Sequence, residues 1–295
     1  MKLQTTFLAS CLFGLSPALS LPATADIEAP QIRVEAEGDG DTTLFIPGLS
    51  SSPRHFRNAL SQPIGGASHW VNLPGFAGEH APTNTDAYVG PVADAIIAHI
   101  VENDLEDIQL VGHSLGGVLA IIVASEIPER IDGVLIVDSV PFLPALFNPA
   151  ATEESAGAQA RTMQANMLAM DRAQFDGMLY AGLSRQALNE DARTEVYKDI
   201  LASDQTSIAS GMADLMSTDF TARLSLIESD VTLLIPHHAA IGVNPEILES
   251  RYRSLYARLD QLETVVIENS AHFIQLDQPA AFEAELLKFL EAHND

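Results

Sequence analysis

The chain has 295 residues, and its 47% of hydrophobic residues fits a globular protein rather than a collagen, a coiled coil or a disordered chain. Forty acidic residues against fifteen basic ones give a formal net charge of −25. Such a charge repels nucleic acid and anionic membrane surfaces, so we expect neither as a partner.

The first 25 residues have the pattern of a secretory signal peptide. Lys2 is their only charged residue, an apolar stretch follows it, and Ala23 and Ala25 offer small residues for cleavage before Asp26. We therefore expect a secreted or periplasmic protein. Because the apolar stretch is too short to span a bilayer, we expect no stable membrane insertion. The sole cysteine, Cys11, would leave with this segment, so the exported chain would have neither a disulfide nor a thiol nucleophile.

Strands and helices alternate in the first half of the chain. Short apolar runs predict strands at 31–37, 42–46, 69–73, 107–111 and 133–137. Apolar residues at helical spacing predict a helix at 87–102 and another that follows residue 115 and is closed by Pro128. This alternation is typical of an α/β fold with right-handed crossovers and a mostly parallel sheet, in which sites lie at the carboxyl ends of strands.

A Gly-x-Ser-x-Gly motif, residues 112–116, joins the fourth strand to the helix that follows it. This motif is the nucleophile elbow, in which the serine lies on a strained turn and its hydroxyl projects above the sheet. The flanking glycines let strand and helix approach closely, and the start of the helix presents free N–H groups. The motif alone is common by chance, but the strand before it and the helix after it are the context that it requires. We therefore predict Ser114 to be a nucleophile.

From about residue 32 onward, with this motif, the sequence resembles the α/β-hydrolase family. The resemblance implies a mostly parallel central sheet flanked by helices, with an inserted helical cap, and a catalytic serine, acid and histidine in that chain order. It implies hydrolase core segments at 26–141 and 230–295 and a cap at 142–229. A serine at position 114 argues against the family members that use a carboxylate as nucleophile.

The loop after the second strand is the expected second half of an oxyanion hole. In the resembled family this loop carries His-Gly before the residue whose backbone N–H binds the oxyanion, and Leu49 is the matching position here. Pro47 stands in place of that histidine. The other donor would be the backbone N–H of Leu115. A plain glycine-serine turn remains the alternative interpretation.

The segment 142–229 lacks strong strand patterns and is rich in alanine and methionine. Methionines recur at helical spacing, as at Met163, Met167 and Met170. They would either pack the cap helices against one another or form an adaptable apolar wall for a substrate. At the start of this segment, Phe142, Leu143 and Phe147 are the residues that we expect to contact substrate.

The C-terminal segment returns to alternation. Strands are predicted at 231–235 and 263–267, and helices at 245–259 and 279–292. Of the nine histidines, only His272 lies after the last strand and before the last helix, where the family carries its general base. His237 and His238 follow the preceding strand and could line the pocket. An adjacent pair of histidines lacks the spacing of a helical metal site, so we expect no metal and no cofactor.

The acid departs from the usual pattern. Many family members carry it after the strand that precedes the last one, but residues 236–242 contain no carboxylate. Some members place it after the neighbouring strand, which here ends at Asp138, so Asp138 is the predicted triad acid. A turn-capping role for this residue is the alternative. Glu268 and Glu246 are weaker candidates, and Asp230 precedes its strand, at the wrong edge of the sheet.

Together these residues predict a serine esterase acting on a small molecule. A serine hydroxyl needs an adjacent base, itself oriented by an acid, before it attacks a carbonyl carbon. We expect Ser114, His272 and Asp138 to hydrolyse carboxylic esters through an acyl-enzyme. Two alternatives stay open. One is a lactonase or another acyl hydrolase of the same fold, and the other is a non-catalytic binding protein, because the usual acid position is empty.

Overall fold

A computed structural model describes residues 30–293 of the chain. The predicted signal peptide, with Cys11, lies outside the described residues. Seven strands form one sheet: β1 (Arg33–Glu37), β2 (Thr42–Ile46), β3 (Ala67–Asn72), β4 (Ile108–His113), β5 (Ile131–Val137), β6 (Asp230–His237) and β7 (Leu262–Glu268). Their order across the sheet is β1-β3-β2-β4-β5-β6-β7, and every neighbouring pair is parallel except β1 and β3. The predicted α/β fold with a mostly parallel sheet is confirmed.

Eleven α-helices lie within the described residues. They are α1 (Arg54–Arg57), α2 (Val89–Glu102), α3 (Leu115–Glu126), α4 (Leu143–Phe147), α5 (Glu153–Ala169), α6 (Arg172–Leu183), α7 (Glu190–Ala202), α8 (Gln205–Ser217), α9 (Pro245–Leu255), α10 (Ile274–Asp277) and α11 (Pro279–Ala292). Three short 3₁₀ helices lie at 128–130, 221–226 and 239–241. No helix in this part of the chain is both long and apolar enough to cross a membrane.

Most predicted boundaries differ from the observed ones by one or two residues, and pairing explains two of the differences. Strand β4 continues to His113 because His113 pairs with Val137 of β5. Strand β6 continues two residues beyond the predicted end, through Pro236 and His237, which pair with the end of β7. Helix α9 ends at Leu255, four residues earlier than predicted.

Alternate residues of the central strands enter two different cores. On one face, Leu110 and Ile136 pack with the apolar sides of α2 and α3. On the other face, Val111 and Leu135 pack with Phe282 and its neighbours on α11. This period-two alternation is what a sheet covered on both faces requires. Helix α3 is buried almost all round, so the elbow that precedes it is held in a rigid setting.

Between β5 and β6 the chain contains only helices and loops, as predicted for 142–229. Side-chain oxygens of Thr152, Asp171, Asn189 and Asp204 accept backbone N–H groups at the starts of α5, α6, α7 and α8. These caps explain the polar residues that lie between alanine-rich stretches in the segment 142–229. The division of the chain into core and cap domains stays a prediction.

Candidate active site

Ser114 occupies a strained turn between β4 and α3. Its backbone angles are φ 54° and ψ −118°, a region that residues with a side chain rarely adopt. Gly116 makes the turn possible, because a Cβ there would lie 2.0 Å from the backbone oxygen of Ile46. The N–H of Ser114 donates to the carbonyl of Val137 at 3.0 Å, which ties the turn to the end of β5. The serine is half-buried at the carboxyl edge of the sheet.

Asp138 and His272 meet at this same edge. Asp138 follows β5, His272 follows β7, and His272 Nδ1 lies 2.6 Å from Asp138 Oδ2. The two side chains are 11% and 28% exposed, so a small molecule can approach the ring. Because an ionised carboxylate only accepts hydrogen bonds, Nδ1 is the protonated nitrogen and Nε2 is left as the basic one. Within the described residues, no hydrogen bond joins the Ser114 hydroxyl to His272.

The loop that carries Leu49 packs directly against Ser114. A Cβ placed on Gly48 would lie 3.1 Å from Ser114 Cβ. Leu115 is the first residue of α3, so its N–H has no acceptor within the helix. The structure thus brings both residues with the predicted donor amides next to the serine. Their role as an oxyanion hole stays a prediction.

Tyr252 is a site residue that sequence reasoning missed. Its hydroxyl donates to the second oxygen of Asp138 at 2.6 Å, and the hydroxyl of Tyr256 donates to the backbone oxygen of Ser139 at 2.9 Å. Burial, followed by the charge of Asp138, raises the pKa of Tyr252 well above its ordinary value, so the hydroxyl stays protonated and donates. The only signal in the sequence was the i, i+4 spacing of the two tyrosines, which places both on one side of the predicted helix 245–259.

His113, which precedes Ser114 in the chain, holds the backbone of His272. It is buried, and its Nε2 lies 2.9 Å from the backbone oxygen of His272. Burial and the neighbouring rings of His272 and His55 lower the pKa of His113 well below its ordinary value. The ring is therefore neutral, and Nε2 is the nitrogen that donates to this carbonyl.

The remaining polar candidates lie in other contacts. His237 is the last residue of β6, with Nδ1 2.7 Å from Glu268 and Nε2 2.9 Å from the backbone oxygen of Val243. Glu268 therefore pairs with His237 and not with His272. Glu246 lies in the first turn of α9, and Asp230 begins β6 at the opposite edge. Within residues 30–293, no group of three or more His, Cys, Asp or Glu side chains could hold a metal ion.

The predicted substrate contacts lie at the start of the helical segment 142–229. Phe142 is buried, Leu143 is partly buried, and Phe147 is 78% exposed. Their contact with a substrate stays a prediction. Four methionines, with polar neighbours, line an open cavity of about 610 Å³ in this segment: Met163, Met167, Met170 and Met178. Ser114 is not among the lining residues, so this cavity is not the space directly above the serine.

Comparison with known proteins identifies the family. The model of the alpha/beta hydrolase family matches residues 43–285. The chain belongs to the α/β-hydrolase family. This membership supports a hydrolytic enzyme and agrees with the sheet order and the elbow described above.

Three relatives illustrate what this α/β-hydrolase is similar to. A protein of Agrobacterium fabrum (strain C58), provisionally named the carbamate hydrolase RutD, is 22% identical over 90% of this chain and 94% of its own. A thermophilic esterase from Thermogutta terrifontis superposes with a TM-score of 0.72 at 18% identity, covering 90% of this chain and 94% of that one. An enol-lactonase from Burkholderia xenovorans LB400 gives 0.67 at 15% identity, covering 90% and 99%. At these identities the solved structures establish the fold alone.

Proposed function

We propose that this α/β-hydrolase is a serine hydrolase that cleaves small carboxylic esters through an acyl-enzyme formed on Ser114. The observation that carries the proposal is the 2.6 Å contact between His272 Nδ1 and Asp138, at the sheet edge where Ser114 sits on its strained turn. A histidine held by a carboxylate through Nδ1 keeps a basic Nε2, which is what an unactivated serine hydroxyl requires.

The proposed reaction uses each of these residues in turn. Ser114 Oγ attacks the ester carbonyl while His272 Nε2 takes its proton, and Asp138 orients the ring and stabilises the imidazolium. The N–H groups of Leu49 and Leu115 stabilise the negative charge that forms on the carbonyl oxygen. His272 then returns the proton to the leaving alcohol. Water attacks the acyl-enzyme with His272 again as base, and Ser114 is regenerated.

This mechanism requires a hydrogen bond between Ser114 and His272 that must form when substrate binds. Such bonds are often long or misaligned in unliganded enzymes and tighten in the substrate complex. We expect a small local movement to bring Ser114 Oγ and His272 Nε2 together, because Ser114 and Asp138 lie at the ends of neighbouring strands β4 and β5. His113 restrains the backbone on which the His272 ring pivots.

The substrate class is tested with a chain-length series of nitrophenyl carboxylates, from acetate to laurate, measured beside a set of lactones. The matched control is Ser114→Ala, which removes the nucleophile and keeps the turn. We expect turnover of short esters that disappears in this variant. Faster turnover of lactones would assign a lactonase. Hydrolysis that is equal in both proteins, or absent from a folded wild type, would contradict the proposal.

We further propose that residues 1–25 direct export. The support is the single charge at Lys2, the apolar stretch and the small residues before Asp26. Expression of the full chain in a bacterium, followed by fractionation and mass spectrometry, tests this. We expect a periplasmic or secreted protein that begins at or near Asp26. An uncleaved chain in the cytoplasm would contradict it.

A further inference from the structure

The loop that carries Leu49 is held in an unfavourable backbone conformation. We call residues 47–53 the oxyanion loop. Ser50, within it, has φ 55°, in the left-handed region that residues with a side chain avoid. Such a conformation persists only where surrounding contacts impose it. The contacts that hold this loop therefore determine where the amide of Leu49 points.

Asp199, on the cap helix α7, contacts the loop at Ser52 and also contacts Arg54 and His55, which follow the loop. Its Oδ2 accepts the backbone N–H of Ser52 at 3.1 Å and the hydroxyl of the same residue at 2.7 Å. The Arg54 guanidinium donates to Oδ1. His55 Nε2 lies 3.0 Å from Oδ2 without making a regular hydrogen bond to it. Asp199 is 3% exposed, so this carboxylate is almost fully withdrawn from water.

The carboxylate is suited to remain ionised in this setting. Burial alone raises the pKa of Asp199, but the contacts with His55 and Ser52 and the charge of Arg54 outweigh it, and the pKa lies below its ordinary value. A buried carboxylate with donors on both oxygens cannot rotate without losing several of them. The cap thus holds Ser52 at one fixed point.

The backbone between Ser52 and Leu49 is constrained as well, so fixing Ser52 also limits the position of Leu49. The N–H of Ser51 donates to the carbonyl of Gly48 at 3.2 Å. Because a peptide bond is planar, fixing the Gly48 carbonyl also fixes the direction of the Leu49 N–H. The side chain of Leu49 is confined too, since a Cβ on Gly211 of cap helix α8 would lie 2.8 Å from Leu49 Cδ1.

We propose that Asp199 is a positioning residue for the reaction, because it aims the Leu49 amide at the substrate oxygen by anchoring the oxyanion loop to the cap. The cap is then part of the catalytic geometry as well as a cover for the site. This inference rests on the proposed serine-hydrolase function. Asp199 contacts Ser52, Arg54 and His55 and not the side chains of Ser114, Asp138 or His272.

The test compares an ester with the thionoester of the same acyl group and alcohol. A thiocarbonyl sulfur accepts hydrogen bonds poorly, so its turnover gains little from a well-placed amide donor. In Asp199→Asn we expect kcat for the ester to fall about tenfold, less than the 10²–10³ lost when an oxyanion donor is removed outright, with KM nearly unchanged. We expect kcat for the thionoester to fall much less, so the ester-to-thionoester ratio falls.

Asp214→Asn is the matched control, because Asp214 also joins the cap to the core. Its Oδ2 accepts the N–H groups of Tyr88 and Val89 at 2.7 and 2.9 Å, outside the oxyanion loop. We expect this variant to lower the melting temperature and to keep the wild-type ratio. Ser52→Ala, which removes only the hydroxyl contact, should lower the ratio by less than Asp199→Asn, and it serves if that variant does not fold.

The outcomes separate the two proposals. A ratio that is unchanged in both Asp199→Asn and Ser52→Ala, or that falls equally in Asp214→Asn, would overturn the positioning role and leave the serine mechanism standing. A wild type with no Ser114-dependent hydrolysis would overturn the proposed function itself.

Discussion

Tyr252 donates a 2.6 Å hydrogen bond to one oxygen of Asp138, while His272 contacts the other oxygen at the same distance. Both oxygens of this largely buried carboxylate are therefore engaged, and its plane is fixed with respect to the imidazole. A carboxylate held from two sides has less freedom to turn away from the ring. The empty acid position after β6 thus does not leave the histidine without an orienting group.

Replacing Tyr252 by Phe should lower kcat by about tenfold, because a hydrogen bond to a charged group contributes about 1.5 kcal/mol or more, close to one factor of ten in rate. Tyr256→Phe is the matched control. That tyrosine is equally buried, but it donates to the backbone oxygen of Ser139. Ester kinetics and melting curves of both variants distinguish the roles. If Tyr252→Phe and Tyr256→Phe lost kcat equally and had equal melting temperatures, the hydrogen bond of Tyr252 to Asp138 would have no specific role in turnover.

Asp138→Asn should lower kcat by about 10⁴, the loss found when a triad aspartate is replaced and the histidine takes the wrong tautomer. Glu268→Gln serves as its control, because Glu268 contacts His237 instead of the proposed base. We expect this second variant to keep nearly full turnover of the ester. Near-normal activity of Asp138→Asn would remove Asp138 from the mechanism, and a large loss in Glu268→Gln would point to the other carboxylate.

His113 should make the fold sensitive to acid. Its pKa in the folded state lies well below that of an unfolded histidine, about 6.5. Below pH 6.5 the unfolded chain therefore binds a proton that the folded chain does not bind. The contribution to stability is thus complete above pH 6.5 and is lost as the pH falls below it. This difference of one proton lowers the free energy of unfolding by about 1 kcal/mol between pH 7.5 and 5.5.

The variant His113→Gln keeps a donor for the backbone oxygen of His272 and removes the titration. Urea unfolding at the two pH values should show that the wild type loses about 1 kcal/mol more stability than this variant on acidification. The control variant is His80→Gln, at an exposed position. It should lose as much stability on acidification as the wild type does. Identical losses in all three proteins would mean that His113 does not titrate on unfolding.

Gly116→Ala should destabilise the fold by about 3 kcal/mol or more, because the new methyl group would lie 2.0 Å from the Ile46 backbone oxygen and no flexible side chain can move aside. Gly177, exposed within α6, has open space at the same position. Gly177→Ala should therefore stabilise the protein by about 0.5–1 kcal/mol, the difference in helix propensity. A Gly116→Ala protein as stable as the wild type would contradict the close approach of elbow and β2.

The parts of the site that local sequence patterns specify could be predicted. The elbow has its own glycine spacing, and strand alternation fixes which residues end at the carboxyl edge, so Ser114 and Asp138 could both be placed at that edge. The choice of Asp138 as the acid followed from the sheet order that the family resemblance implies. His272 followed from chain order within the resembled family. These inferences need no knowledge of how the cap folds.

Contacts that depend on helix packing could not be predicted. Tyr252 reaches Asp138 across 114 positions, and Asp199 reaches Ser52 across 147. The i, i+4 tyrosines mark one side of a helix but not its partner, and the local sequence around Asp199 is that of an ordinary helix. Similarly, β1 precedes β2 by a short turn but pairs with β3, which only the three-dimensional arrangement reveals.

The most direct test of the central claim is covalent labelling of the folded protein with a fluorophosphonate, followed by mass spectrometry of its peptides. The serine mechanism predicts one label, on Ser114, that is absent from Ser114→Ala and forms much more slowly in His272→Ala. A folded wild type that takes up no label, or a label on a different serine, would contradict it.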